Sequence, residues 1–177
     1  EQVVDQYNDL VAFAETSRAN IYFGVCPRAS PGDASDQSIR TIRCLWCDMD
    51  SISLAQAYDC WNKAGVPTPS IIVGSGSGVH GYWLLAKDLV NPRERSRLAG
   101  ILPGFYRSFG GDYVQNFSRV LRLPGTLNYK DARNGRPPQP CVLCHCDDQL
   151  RYPLETFSSW FDPAAEKQHH GKDSDVA

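Results

Sequence analysis

Apolar positions at Val3, Val4, Tyr7, Leu10, Val11 and Ala14 recur every three to four residues and predict an amphipathic helix over 2–17. Asn20 to Val25 (NIYFGV) reads as a strand, and residues 26–38 (CPRASPGDASDQS) carry the Pro, Gly, Ser and Asp of an exposed loop. A strand over 39–48 (IRTIRCLWCD) precedes a helix over about 52–65. A second apolar run starts at Ser70 and enters the glycine-rich GSGSG of 74–78. Val79 to Leu85 (VHGYWLL) continues as a strand, so these two runs predict a hairpin. Residues 92–109 have a helical pattern with Pro103 as a kink or break. Beyond Gly110 turn formers dominate, interrupted by short apolar stretches at 120–123 and 141–143 and a short helix over 154–161. Strands alternating with helices, with at least one hairpin, predict a mixed α/β sheet of the α+β kind and not a purely parallel one. No internal repeat is visible.

Composition narrows the class. A chain of 177 residues with 42% apolar content can close a core, which excludes disordered, collagen-like and small disulfide-scaffold classes. No stretch approaches the roughly 18 consecutive apolar residues of a spanning helix, and the start (Glu1, Asp5, Asp9) has no basic segment leading into an apolar one. The expectation is a protein without membrane association. The net charge of -2 argues at first against a nucleic-acid partner. Its distribution reverses that argument: between Arg93 and Arg136 eight arginines and Lys130 face only Glu94, Asp112 and Asp131. Thirteen of the 18 basic residues are arginine, whose planar fork suits phosphate oxygens. A solvated basic surface has the same signature.

Seven cysteines, at 26, 44, 47, 60, 141, 144 and 146, include two C-x-x-C pairs, Cys44 with Cys47 and Cys141 with Cys144. As text this is a four-thiolate zinc pattern with His145 as a spare ligand. Both pairs fall in stretches that read as strands, where residues i and i+3 point to opposite faces and cannot share one ion. Structural zinc is therefore not expected. Buried free thiols in a reducing, cytoplasmic compartment are.

Candidate chemistry gathers at three places. Asp48 and Asp50 end an apolar strand at i and i+2, so both carboxylates face one side and suit hard cations, although two surface acids would look the same. Ser75-Gly76-Ser77-Gly78-Val79-His80 offers turned backbone N–H groups, hydroxyls and an imidazole to an anion, with an ordinary glycine hairpin as the alternative. A strand follows it, and not a helix, which excludes a dinucleotide fingerprint; the missing Gly-Lys-Ser/Thr excludes a P-loop. The third place, GDYVQNFSRVLRLPGTLNYK, supplies Asp112 and then Arg119, Arg122 and Lys130, with Pro124, Gly125 and Asn128 shaping a turn. In extended chain Arg119 and Arg122 diverge, whereas a turn lets them converge. Carboxylates for metal and cations for a polyphosphate are what nucleotidyl transfer requires.

The ordered set NIYFGVCPR, LWCDMD, PSIIVGSGSGVHGYWLL and GGDYVQNFSRVLRLPGTLNYK resembles the archaeo-eukaryotic primase superfamily over residues 5–160. Within it the set resembles in particular the primase-polymerases of plasmids, phages and mobile or CRISPR-associated elements. The resemblance implies that Asp48, Asp50 and Asp112 are catalytic and hold two Mg²⁺ or Mn²⁺ ions. It places His80 on the incoming triphosphate and makes Arg119, Arg122 and Lys130 phosphate ligands. Gly78 stands where the family's Ser-x-His motif has serine, so that role passes to Ser75, Ser77 or backbone N–H groups. Arg28, in the Pro-Arg after the first strand, is assigned a nucleotide or template contact.

The fold so implied is a catalytic core over 1–162, in which an RRM-like sheet packs against an N-terminal α/β unit, followed by a polar tail over 163–177 with His169 and His170. The implied reaction is template-directed transfer from an NTP or dNTP to a primer 3′-hydroxyl or an initiating nucleotide. Single-stranded or primer-template DNA is the expected partner, with a helicase or accessory priming domain elsewhere in a longer protein. A non-catalytic nucleic-acid or nucleotide-binding module of a replication initiator is the alternative. Tyr22, Phe23, Tyr82 and Trp83 could stack on bases, but their alternation in strands favours core packing.

Overall fold

The computed structural model describes residues 2–30 and 32–166. Its elements in chain order are α1 (Gln2–Ser17), β1 (Tyr22–Gly24), β2 (Ile42–Asp50), α2 (Leu54–Lys63), β3 (Ile71–Gly74), β4 (Gly78–Leu89) and α3 (Pro92–Phe109). Short strands β5 (Val120–Arg122), β6 (Leu127–Asn128), β7 (Gln139–Pro140), β8 (Val142–Cys146) and β9 (Arg151–Tyr152) follow, then a 3-10 helix over Leu154–Trp160. The mixed sheet expected from the sequence is present.

Its order is β2-β4-β3-β8, all antiparallel, with β9 running parallel beside β4. β4 can serve as the spine because it is 12 residues long: β3 pairs with its first half and β9 with Leu84 and Leu85 beyond. The β3-β4 hairpin closes where the Ser75 N–H donates to the Gly78 carbonyl at 2.8 Å, with Gly76 at a φ of 82° that favours glycine. β2 runs two residues further than its sequence pattern suggested, to Asp50. The ladder extends because Gly78 lies opposite Asp50, and a Cβ there would run into the Met49 carbonyl oxygen.

One face of the sheet carries the helices. Trp83 of β4 meets Trp61 of α2 edge-on at 5.8 Å and Phe105 of α3 at 4.9 Å; Phe105 in turn touches Phe109, Phe157 and Trp160. Buried rings of this size dominate core energetics, each removing roughly 150–250 Å² from water. Ser53 and Gln56 form a capping box that starts α2. Asn91 caps α3 ahead of Pro92, and Gly110 ends it in the left-handed region at a φ of 74°. Of the kink or break expected at Pro103, the break is absent: α3 continues through that residue. Gly100 and Gly104 let the last described segment lie directly on that turn, where the Asp162 N–H donates to the Gly100 carbonyl at 2.9 Å.

The opposite face carries a ribbon made by β1 and β5, which pair antiparallel with Tyr22 opposite Arg122. Phe23 of this ribbon stands 6.2 Å from the Tyr82 ring of β4. α1 forms as the periodicity predicts, yet Val4, Tyr7, Leu10 and Phe13 stay exposed and only Ala14 is fully buried among its described side chains. Periodicity set the helix; the layer that would cover its stripe is absent from the described chain. The Tyr7 hydroxyl fastens it by donating to the Pro124 carbonyl at 2.9 Å.

Cys44 lies opposite Leu84 and Cys47 opposite Gly81, an odd separation that puts the two thiols on opposite faces of β2. All seven cysteines are free thiols, and burial pushes the Cys26 thiol up to about 12 and Cys141 to about 11. Among the described residues no helix is long and apolar enough to cross a membrane. Residues 163–166 form a helical turn, while 167–177 with His169 and His170 lie outside the described residues.

Candidate active site

β2 delivers Asp48 and Asp50 to the ribbon-bearing face of the sheet, and register then selects their neighbours: Asp48 sits opposite His80 and Asp50 opposite Gly78. Ser51, at a φ of 58°, turns the chain away immediately afterwards, in a conformation that costs a non-glycine residue roughly 1–2 kcal/mol. Its N–H donates to the Ser77 carbonyl at 2.8 Å, which ties the acid strand to the glycine-rich turn.

Asp112 is locked to the same strand end at two points. Its backbone N–H donates to the Asp48 carbonyl at 2.9 Å, and its Oδ2 accepts from the Asp50 N–H at 3.3 Å. Asp112, 62 residues beyond Asp50 in the chain, is thus brought to the strand end that carries Asp48 and Asp50. Burial, and then the Asp50 and Asp112 charges, push the Asp48 carboxyl up to about 6; Arg119 and Arg122 pull in the other direction. Asp48 Oδ1 is buried without a hydrogen-bond partner.

His80 is almost fully buried, and burial followed by the Arg122 charge pushes its imidazole down to about 4, so it is neutral near pH 7. Tyr82, two residues along and therefore on the same face, places its hydroxyl 3.5 Å from His80 Nδ1. With the phenol as donor, the ring proton sits on Nε2, the nitrogen 3.6 Å from Asp48 Oδ1. That distance is longer than a hydrogen bond and leaves Nε2–H available to an anion.

A turn precedes β5, where the Arg119 N–H donates to the Asn116 carbonyl at 3.1 Å, and the charges of Arg119 and Arg122 both act on Asp48. Arg119 Nε and Arg122 Nε are both buried without partners, and the Arg122 guanidinium lies 5.3 Å over the Tyr22 ring. Tyr22 is 47% exposed, against the core packing expected for it, because its ribbon has sheet on one side only. Phe23 is half-buried and Tyr82 and Trp83 are buried, as their alternation suggested. Lys130 Nζ lies 3.4 Å from Asp50 Oδ2 in a half-exposed ion pair.

Not every candidate joins this cluster as an open ligand. Ser75 is fully buried with its Oγ unpartnered, and Ser77 Oγ accepts from Asn128 Nδ2 at 3.3 Å. Arg28 donates to the carbonyls of Asp33 and Ser118, fastening the loop that follows β1 to the segment before β5. Two residues had a weaker signal in sequence. Asn128 donates to the Ser75 carbonyl and accepts from the Lys130 N–H at 2.9 Å, so one amide joins the glycine turn to the lysine. Only its turn-forming character was legible. Tyr82 as the partner of His80 follows from i, i+2 spacing in a strand.

Hard-cation chemistry fits this donor set: the charges of Asp50 and Asp112 act on Asp48, and a buried carboxylate oxygen of Asp48 has no hydrogen-bond partner. The ligands are not closed on an ion position. Among the described residues no three His, Cys, Asp or Glu side chains are gathered to hold a metal, and Asp50 is turned toward Lys130.

No protein-family profile matches the chain, and no curated protein matches it in sequence. Among solved structures it is similar to the AEP domain of the primase-polymerase of cyanophage S-2L, at 24% identity and a TM-score of 0.63 over 86% of this chain and 76% of that one. It also aligns with a primase, RepB′, at 17% identity and a TM-score of 0.43 over 76% of this chain and 42% of that one. The first likeness shows that this chain shares the fold of that AEP domain, the fold the ordered motifs implied.

Proposed function

We infer that residues 1–162 are the catalytic domain of a DNA primase-polymerase, which joins the α-phosphate of an NTP or dNTP to a primer 3′-hydroxyl or an initiating nucleotide and releases pyrophosphate. The observation that carries the reading is the opposition of two sets on one sheet face: Asp48, Asp50 and Asp112 against His80, Arg119 and Arg122. Two Mg²⁺ or Mn²⁺ ions held by the three aspartates would neutralise the triphosphate and activate the attacking hydroxyl.

The chain's own residues do the remaining work. Neutral His80 donates its Nε2 proton to a phosphate oxygen and stays neutral near pH 7 because it is buried beside Arg122. The Nε–H groups of Arg119 and Arg122 have no hydrogen-bond partner, and these two guanidinium groups serve the β- and γ-phosphates, that of Arg122 while also donating to the Tyr22 hydroxyl at 3.3 Å. Tyr82 fixes the histidine ring, and Asn128 holds the glycine turn beside it. Lys130 exchanges Asp50 for phosphate, an inexpensive step for a half-exposed ion pair. The contribution is positioning and charge stabilisation, with no covalent intermediate on the protein.

A second reading is a nucleic-acid-binding module of a replication initiator, favoured by the Lys130–Asp50 ion pair, which keeps one proposed ligand engaged. One assay separates the two: single-stranded template, with and without primer, incubated with Mn²⁺ and labelled dNTP or NTP. The primase-polymerase reading expects metal-dependent incorporation that Asp48→Ala abolishes. Equal DNA binding with and without divalent metal, and no pyrophosphate release, would establish the module instead.

A further inference from the structure

Residues 112–116 run along the edge of the sheet and divide their contacts between two sides. Asp112 bonds to β2, and the Val114 carbonyl accepts from Trp46 Nε1 at 2.8 Å, so these two residues serve the acid cluster and the core. Tyr113, Gln115 and Asn116 remain exposed on the other side. There they line a cleft of about 730 Å³ with Gln37, and with Arg95 and Arg107 from one face of α3. The lining of the cleft includes none of Asp48, Asp50 and Asp112.

Its chemistry is specific. Tyr113 is 61% exposed, a large apolar ring left in water at the cleft wall. Three primary amides, each carrying donors and an acceptor, provide what the hydrogen-bonding edge of a base needs. The Arg107 guanidinium stands beside Tyr113, and Arg95 Nε is buried without a hydrogen-bond partner, its guanidinium 5.7 Å over the Phe117 ring. The acids at the rim are engaged within the fold. Asp36 Oδ1 accepts from the Ser118 N–H and hydroxyl at 2.8 and 2.6 Å, and Asp162 Oδ1 from the Ala164 N–H at 2.9 Å. The volume lies in the range of pockets for single small ligands, about 300–1,000 Å³.

We propose that this cleft is a second nucleotide-binding site that takes one base–sugar–phosphate unit, with the base stacked on Tyr113 and read by the amides, and the phosphate on Arg95 or Arg107. The unit belongs either to a nucleic-acid strand or to a free nucleotide. The backbone that carries Asp112 also forms the cleft wall, so a nucleotide held there lies beside the acid cluster without occupying it. The proposal rests on the cleft's own lining and not on the transfer reaction inferred above.

The test is equilibrium binding in EDTA, followed by anisotropy of a fluorescein-labelled oligothymidylate, with ATP as the second probe in competition. Tyr113→Ala should weaken binding of at least one probe by ~10-fold, the scale of one base–aromatic stack. Tyr113→Phe should retain it. Arg43→Ala, which removes an exposed charge paired with Asp88, should leave it within about 2-fold. Loss for the oligonucleotide alone assigns the site to a strand, and loss for ATP assigns it to a free nucleotide; either supports the proposal. Unchanged affinity of both probes for Tyr113→Ala, with its circular dichroism intact, would overturn it. Because divalent metal is absent, failure of primer extension in the other assay has no bearing on this outcome.

Discussion

The two faces of the five-stranded sheet are made from the same strands and obey different rules. Under α2 and α3, Trp61, Trp83, Phe105 and Phe157 are buried ring against ring. Under the β1-β5 ribbon, one residue along in each strand, Asp48, Asp50 and His80 meet with unpartnered polar atoms on Asp48, Arg119 and Arg122. Strand alternation lets one chain build both, because each residue on the packed side sets the position of a neighbour on the chemical side. The helical face holds the sheet rigid, and the open face keeps groups in states that water would otherwise relax.

The sharpest break in the comparison is Asp48→Ala. It should lower nucleotide incorporation on the order of 10³-fold or more, measured with labelled nucleotide and Mn²⁺, while denaturation shows the fold retained. The matching change on the packed face, Trp83→Ala, should cost about 3–5 kcal/mol by denaturant titration, and activity should fall only as the folded fraction does. Gly78→Ala joins the two faces: its Cβ would press on the Met49 carbonyl and part β4 from the acid end of β2. A loss of about 1–3 kcal/mol, with activity reduced beyond the loss of folded protein, is the expected outcome.

Asn128→Ala should cost about 1–2 kcal/mol, since it leaves the Ser75 carbonyl and the Lys130 N–H without their partner, and should raise KM for nucleotide more than it lowers kcat. An effect of similar size has the opposite sign. Asp48 titrates at about 6 in the fold against an ordinary 3.8, so its ionised form opposes folding above pH 6 and this penalty disappears below about 4. Asp48→Asn should therefore be more stable than the wild type at pH 7 in EDTA, by about 1–2 kcal/mol, and the gap should close as pH falls. His80 runs the other way: held at about 4, it contributes stability above pH 6.5 that is lost on acidification, so the Asn variant should be the more acid-sensitive protein.

Much of this arrangement was legible in the linear chain, but unevenly. The spans of α2 and α3 were legible from their helical pattern, and α3 runs through Pro103 without the break that residue allowed, with Gly100 and Gly104 of the same turns packed against the 160–162 segment. α1 was legible as a helix and not as an exposed one, since periodicity reports an apolar stripe and says nothing of what covers it. Arg28 and Ser75 matched a motif, yet the fold uses the first to hold a loop and buries the second.

By itself the sequence determined the residue types, their order, and the alternation that puts Asp48 with Asp50 and His80 with Tyr82 on shared faces, because those relations are local to one strand. Only the tertiary structure decided that Asp48 faces His80, that Asp112 closes on the end of β2, that the charges of Arg119 and Arg122 act on Asp48, and that Arg122 also acts on His80. Register between strands, and the desolvation that moves a carboxyl up and an imidazole down, depend on contacts across tens of residues. No spacing along the chain encodes them.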